Sequence, residues 1–498
     1  MKQLISTNLL VLVATLAYNF LFWQEKMGLN SLIFTLLMIA ILFHTHPESR
    51  RSKPALLTAF GTLLTAVLIV WNNSLLTKCI HILSFITMVG FVQARMLRFV
   101  WFGLLLGLSH LLFFPRKFSD VLLDVNLTGS PIRAAMRSFR LSVLPLFVVA
   151  AFYVIYYNAN TAFSELSDNF WTNLFKFFSF DISFQRLLFF ISGLILTGGM
   201  IWKYALPYFE KKQIEKQENL IRKRKNKAYI HRKISTLGLK NEYLMAKGLL
   251  IALNLLLLLV NILDIQHVWV GDIPDNPLLL KNYVHEGTYL LIAAILLAMT
   301  VVLFFFRKNL NFYPTSHVLQ NLSYLWIAQN ALLAISVFIR NAHYITTCGL
   351  AYKRIGVIVF LLLTLFGLFT LWYKIRKKKT FYFLLQYNAW AVYMALVITS
   401  FVNWDAQITR FNLHKQFKNG IDTDFLIHTI SDKNLYLLEA NIQKMVNFSN
   451  SFLPNSITQI PLSIERKRAI FEQKQQSYSW LSWNYPDFRN KNASPLKD

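Results

Sequence analysis

Apolar stretches of about 18–22 residues recur along this chain, the length a helix needs to cross a hydrocarbon core of roughly 30 Å. Lipid offers the backbone no water, so only helices or closed barrels can span it. The stretches here are continuous and lack period-2 alternation, so they read as helices. About twelve are expected, near 7–23, 29–44, 54–71, 75–93, 97–114, 140–157, 185–205, 245–265, 287–306, 323–340, 355–373 and 381–403. Pro54 and Pro115 fall at their edges, where proline disturbs a helix least. The predicted fold is all-α: a polytopic transmembrane helical bundle of about 12 spans with a small helical extramembrane C-terminal tail.

Composition agrees, with 55% hydrophobic residues and a mean hydropathy of +0.42, too apolar for an ordinary soluble chain. The formal net charge of +27 would suit a nucleic-acid binder. The basic residues, however, sit in short loops beside spans, as in cytoplasmic loops that face anionic lipid. The bilayer is therefore the expected partner, and nucleic acid is not. Two cysteines, Cys79 and Cys348, are too few for a disulfide framework. The N-terminal run from Met1 to Trp23 has no A-x-A cleavage site and reads as a retained span. The sequence holds no GxGxxG fingerprint, P-loop, GxSxG elbow or cysteine cluster, so no cofactor is expected. The missing P-loop also argues against a self-contained ATP-driven pump.

The chain divides into an N-terminal membrane bundle (1–205, about seven spans), a basic stretch (206–244), a second bundle (245–403, about five spans) and the tail (404–498). The basic stretch reads as a cytoplasmic linker or helix, with anionic lipid as a candidate partner; Ile214, Leu220 and Ile221 give it a weak helical stripe. With 206–244 inside, the run KIRKKK at 374–379 is also inside, and 267–286, 341–354 and the tail are outside. Counting backwards then puts Arg50, Arg51, Lys53, Arg95 and Arg98 outside, against the charge rule. Either a span before residue 115 is miscounted or the rule is overridden there. Between 158 and 184, Phe170, Trp171, Leu174, Phe177 and Phe178 suggest an amphipathic helix on the outer leaflet or a loop packed on the bundle. In the tail, 423–446 reads as a helical region and 464–484 as another helix ending in WLSWN.

One feature resembles a site. Asp264, His285, Glu286, Arg340, His343, Lys353, Arg354 and Asp405 gather where the last five spans leave the membrane on a single side. Lipid penalises such residues, so a one-sided gathering needs a reason. Singly, each has a plain explanation. Asp264 suits an interface, Glu286 suits a helix N-terminus, and Arg340 can snorkel. Gln329 and Asn330 suit helix-to-helix hydrogen bonds. Together, the acids and bases predict an ionic collar locked by pairs such as Asp405–Arg354. Two other readings stay open: a polar cavity for a small anion, headgroup or peptide, and a proton relay through His285, Glu286 and His343. No metal is expected, since there is no HExxH and the His44/His46 pair lacks further ligands.

Four runs carry a resemblance: HEGTYLLIAAILLAM, RNAHYITTCGLAYKRIGV, NWDAQITRFNL and IDTDFLIHTISDKNL. They resemble an uncharacterised bacterial polytopic membrane family catalogued as domain-of-unknown-function 4173, over roughly 245–440. The motif set is Glu286-Gly287, then Arg340, Tyr344, Gly349-Leu350 and Arg354, then Asp405, Arg410 and Asn412. The resemblance implies a bacterial cytoplasmic membrane and supplies no activity, substrate or cofactor.

The expected function is non-enzymatic: a sensor, scaffold or transporter-like protein whose charged outer mouth binds a small polar ligand or an envelope partner. The alternative is a membrane-embedded enzyme acting on an envelope lipid or lipid-linked substrate. Deep polar residues are sparse (Asn254, Gln329, Asn330, Asn388), which weakens the permease reading.

Overall fold

A computed structural model describes residues 2–124, 148–149, 152–178, 184–202, 207–215, 218–222, 238–271, 277–306, 309–415, 420–448 and 454–492. No strand occurs among the described residues, and the elements are helices. Seven of them are long and apolar enough to cross a membrane: Lys53–Asn72, Leu75–Gln93, Phe184–Ile201, Leu239–Trp269, Ser316–Cys348, Tyr352–Arg376 and Phe381–Thr399. The chain is therefore a multi-pass membrane protein. The expected dozen spans is not reached among the described residues. At four of the expected stretches the described apolar part of the helix covers 10–17 residues: Thr7–Phe22, Leu29–Thr45, Val100–Pro115 and Leu290–Phe305. The expected span at 140–157 lies largely outside the described residues.

The chain folds as two compact units, Met1–Gln213 with Gln476–Tyr485, and Ile214–Gln475 with Pro486–Asp498. The first holds α1 (Lys2–Phe22), α2 (Leu29–Thr45), α3 (Lys53–Asn72), α4 (Leu75–Gln93), α5 (Val100–Asp124), α6 (Thr161–Phe178), α7 (Phe184–Ile201) and α8 (Pro207–Glu215). The α3–α4 turn is set locally. Asn73 takes a left-handed φ of 49°, and the Ser74 hydroxyl accepts from the Thr77 N–H to cap α4. α4 and α5 approach closely because a Cβ on Gly90 would lie 1.9 Å from the Gly103 carbonyl oxygen. Buried hydroxyls join the other helices. Thr65 meets His81 at 3.1 Å and Thr62 meets Ser84 at 2.9 Å across α3–α4, while Thr15 meets Thr197 at 2.8 Å across α1–α7.

The ends of this unit resolve the conflict over charge. The turn Pro47–Arg51 packs on α4, and Gln213 of α8 accepts from the Arg98 N–H at 3.5 Å. Arg50, Arg51, Lys53, Arg95 and Arg98 thus share an end with Lys211 and Lys212. α7 starts at the other end, where Phe189 lies 5.3 Å from Trp23 and Arg186 stacks over Trp23 at 5.9 Å. α5, rising from Val100, ends there too.

The second unit holds α9 (Leu239–Asp264), α10 (Pro277–Phe305), α11 (Ser316–Cys348), α12 (Tyr352–Arg376), α13 (Phe381–Thr399), α14 (Trp404–His414), α15 (Leu435–Glu439), α16 (Ile442–Asn447), α17 (Pro454–Gln476) and most of α18 (Tyr485–Asn492). Its membrane core includes Leu250, Ile295, Val302, Leu319, Val337 and Leu371. α9 and α11 run parallel, tied by Asn254 Nδ2 donating to the Leu322 carbonyl (3.1 Å) and Asn261 Nδ2 to that of Gln329 (3.2 Å). At the basic end, Lys374 donates to the Phe306 carbonyl at 2.9 Å and Lys379 pairs with Glu218 at 3.8 Å. At the opposite end the tail has its own core of Ile408, Leu426, Leu435, Met445, Ile464 and Phe471, which takes in Ile355 from the start of α12. The tail helix expected over 464–484 is different: α17 stops at Gln476, and 480–482 form a 3-10 turn.

Candidate functional site

Asp264 closes α9 and Arg340 stands two turns before the end of α11. Parallel packing brings them into a buried ion pair, with side chains 11% and 9% exposed. The second carboxylate oxygen of Asp264 is buried without a hydrogen-bond partner. Inward from the pair runs a short amide ladder, where Gln329 Nε2 donates to Asn254 Oδ1 at 3.4 Å. Asn330 bonds its own helix at the Trp326 carbonyl, 2.7 Å. Asn388 sits apart, donating to Thr370 at 2.9 Å.

Arg354 has a local task. α11 ends at Gly349, whose φ of +86° stops the helix. The last carbonyls of a helix lack intrahelical partners and carry the negative end of its dipole. Arg354 donates to two of these, Cys348 (2.9 Å) and Gly349, and its guanidinium lies 4.0 Å above the Tyr344 ring. Asn341 donates back to the Arg354 carbonyl at 3.0 Å. The arginine thus caps a helix end, which explains a cation on the nominally wrong side.

Asp405, buried in the first turn of α14, accepts from the Tyr352 hydroxyl at 2.5 Å and from the Ser431 hydroxyl. The expected Asp405–Arg354 pair is therefore not the one formed. Each residue is engaged elsewhere, because the tail core presents hydroxyls to Asp405 while the α11 C-terminus draws Arg354. Behind Asp405, Asn434 donates to Thr409 at 2.9 Å. Lys467 donates to the Ile427 and Ile430 carbonyls (both 2.9 Å) and to Asn434 Oδ1 (3.1 Å). Burial lowers the Lys467 ammonium to about 8.

Asp264, Arg340, Arg354 and Asp405 thus lie at one end of the unit, in separate local contacts. His343, Lys353 and Arg410 lie on the same elements but are exposed. His285 and Glu286 lie on α10, and their side chains are outside the described residues. Sequence reasoning missed Tyr352, Ser431 and Lys467, which carry no signal in type or spacing. It singled out Asn412 and Tyr344 only as motif members.

These features define a helical multi-pass membrane protein whose buried charges join helix ends. The chain belongs to the family described as Domain of unknown function (DUF4153), which it matches over residues 58–440. This corrects the resemblance to family 4173. That resemblance rested on short runs in the second half, whereas the family match takes in most of the chain. The match begins inside α3 and covers helices of both units. None of the curated proteins and none of the solved structures matches the chain.

Proposed function

We propose that this is a non-enzymatic protein of a bacterial cytoplasmic membrane, a sensor or scaffold with its folded tail outside the cell and a basic mouth that binds an anionic ligand or envelope partner. One observation carries the reading. The buried Asp264, Arg340 and Asp405 and the half-buried Arg354 hold α9, α11, α12 and α14 together, while three basic side chains on the same elements, His343, Lys353 and Arg410, face outward.

Orientation follows from charge in each unit by itself. In the first, the segment 476–485 bonds to the α1–α2 loop, at the end away from Arg50, Arg51, Arg95 and Arg98. In the second, the tail core lies at the end away from Lys374–Lys379. Cytoplasmic loops carry the excess of Lys and Arg, so both units support an external tail. In this orientation the 206–244 stretch meets the anionic inner leaflet.

The enzymatic alternative would draw on Lys467, a lysine with a lowered pKa. Its three protons, however, meet three acceptors inside the tail, which is the geometry of a structural ammonium. The test is binding of a fluorescent oligoglutamate peptide to the full chain in zwitterionic nanodiscs, read by anisotropy. Binding that salt weakens, and that the triple variant His343→Gln, Lys353→Gln, Arg410→Gln loses, is the expected result. Equal binding by parent and triple variant would remove the basic mouth from the account.

A further inference from the structure

The segment 478–485, YSWLSWNY, belongs to the part of the described tail that packs in the first unit. Its backbone is fixed on the loop between α1 and α2. The Leu29 N–H donates to the Trp483 carbonyl at 3.0 Å, the Lys26 N–H to the Ser482 hydroxyl at 2.9 Å, and the Ser479 N–H to the Glu25 carboxylate at 3.0 Å. Gly28 permits the approach, since a Cβ there would lie 2.5 Å from the Ser482 carbonyl oxygen. With these groups satisfied, the strap does not need water along that edge.

Its side chains divide by face. Leu481 and Ser482 are buried. Trp480 and Trp483 point away, 64% and 44% exposed. Tyr485 stacks on Trp71 at 4.8 Å with the rings 6° apart. Trp71 is the penultimate residue of α3, a 20-residue helix apolar enough to cross the bilayer, so the stack marks the level where that span meets the headgroups. Leu75, exposed at the start of α4, lies one turn beyond Trp71 in sequence, and the Lys26 ammonium sits 4.6 Å over Tyr478. Indole and phenol rings partition into this layer because one edge is apolar and the other hydrogen-bonds.

We infer that the 478–485 strap is a membrane-interface anchor. Trp480, Trp483 and Tyr485 seat in the headgroup layer of the bilayer at the mouth of α3 and α4, and the partner is phospholipid. The chain on either side of the strap, the end of α17 and the body of α18, is thereby tethered to the membrane surface. The anchor requires only that α3 cross the bilayer. That the leaflet is the outer one rests on the orientation proposed above.

The test uses the full chain in phosphatidylcholine vesicles, with Cys79 and Cys348 replaced by serine. Nitroxide labels go on Trp480→Cys, Trp483→Cys and, as an aqueous reference in the tail, Glu472→Cys. Collision with oxygen relative to a water-soluble nickel chelate reports depth irrespective of which leaflet is involved. A ratio several-fold higher at 480 and 483 than at 472 is expected. Equal ratios at all three positions would overturn the anchor and leave the orientation unaffected. As a check free of cysteine, quenching of the protein's tryptophan emission by lipids brominated near the headgroup should diminish in the Trp480→Phe, Trp483→Phe variant. Undiminished quenching would count equally against it.

Discussion

Asn412 grips Leu350 with both ends of its amide: Oδ1 accepts from the Leu350 N–H at 2.7 Å and Nδ2 donates to the Leu350 carbonyl at 2.9 Å. The two residues are 62 apart in sequence. The grip fastens α14, and with it the tail, to the turn between α11 and α12. Asn412→Ala should therefore lower stability by about 2 kcal/mol, the sum of two modest hydrogen bonds. Gly349→Ala attacks the same joint. Its φ of +86° with an extended ψ is a region open to glycine alone, and the new Cβ would lie 2.7 Å from Asn412 Oδ1. Such strain costs about 1–3 kcal/mol. Thermal melting in detergent reads both, and unchanged midpoints would mean the joint bears no stability.

The Asp264–Arg340 pair is buried, so its halves are unequal to its whole. Removing one partner strands a charge, and Arg340→Met should destabilise by roughly 3–5 kcal/mol. Replacing both by apolar residues, Asp264→Leu with Arg340→Met, should recover much of that loss. A double variant as unstable as the single would show that the pair itself supplies the stability.

Arg354 and Asp405 offer a test by coupling. Neither contacts the other in the fold described, so a double-mutant cycle with Arg354→Met and Asp405→Asn should be additive within about 0.5 kcal/mol. Tyr352→Phe with Asp405→Asn should couple by more than that, because the hydroxyl and carboxylate touch. Strong coupling in the first cycle and none in the second would restore the ionic clamp expected from sequence.

That exchange of partners shows what the sequence made legible. The apolar blocks placed helices such as Lys53–Asn72, Leu75–Gln93 and Tyr352–Arg376, because bilayer thickness and backbone satisfaction leave few alternatives. The same blocks located Asp264, Arg340, Arg354 and Asp405 near span ends. They did not pair them. Pairing depends on α9 running parallel to α11 and on a tail that folds Ser431 against Asp405, and neither follows from local pattern. Hydropathy likewise missed the end of α17 at Gln476, since the 479–483 backbone is engaged by a loop more than 450 residues away.

Lys467 gives the tail a pH signature. Burial lowers its pKa from the ordinary 10.5 to about 8. Between those values the unfolded tail binds a proton that the folded tail has shed, so stability rises with pH through the window. Urea unfolding in detergent should become harder from about pH 8 to about pH 10, and Lys467→Met should lose that part of the rise. Parallel pH dependence in parent and variant would show that another group is responsible.

The proposed orientation puts the tail outside the cell, with the basic end of each unit inside. Single cysteines at Glu472 in α17 and at Arg51 in the α2–α3 turn, in a chain lacking Cys79 and Cys348, test it directly in spheroplasts with a membrane-impermeant thiol reagent. Labelling of Glu472→Cys in intact spheroplasts, and of Arg51→Cys only after lysis, is the expected result. The reverse pattern would contradict it and move the mouth, with Asp264, Arg340 and Asp405, to the cytoplasmic side.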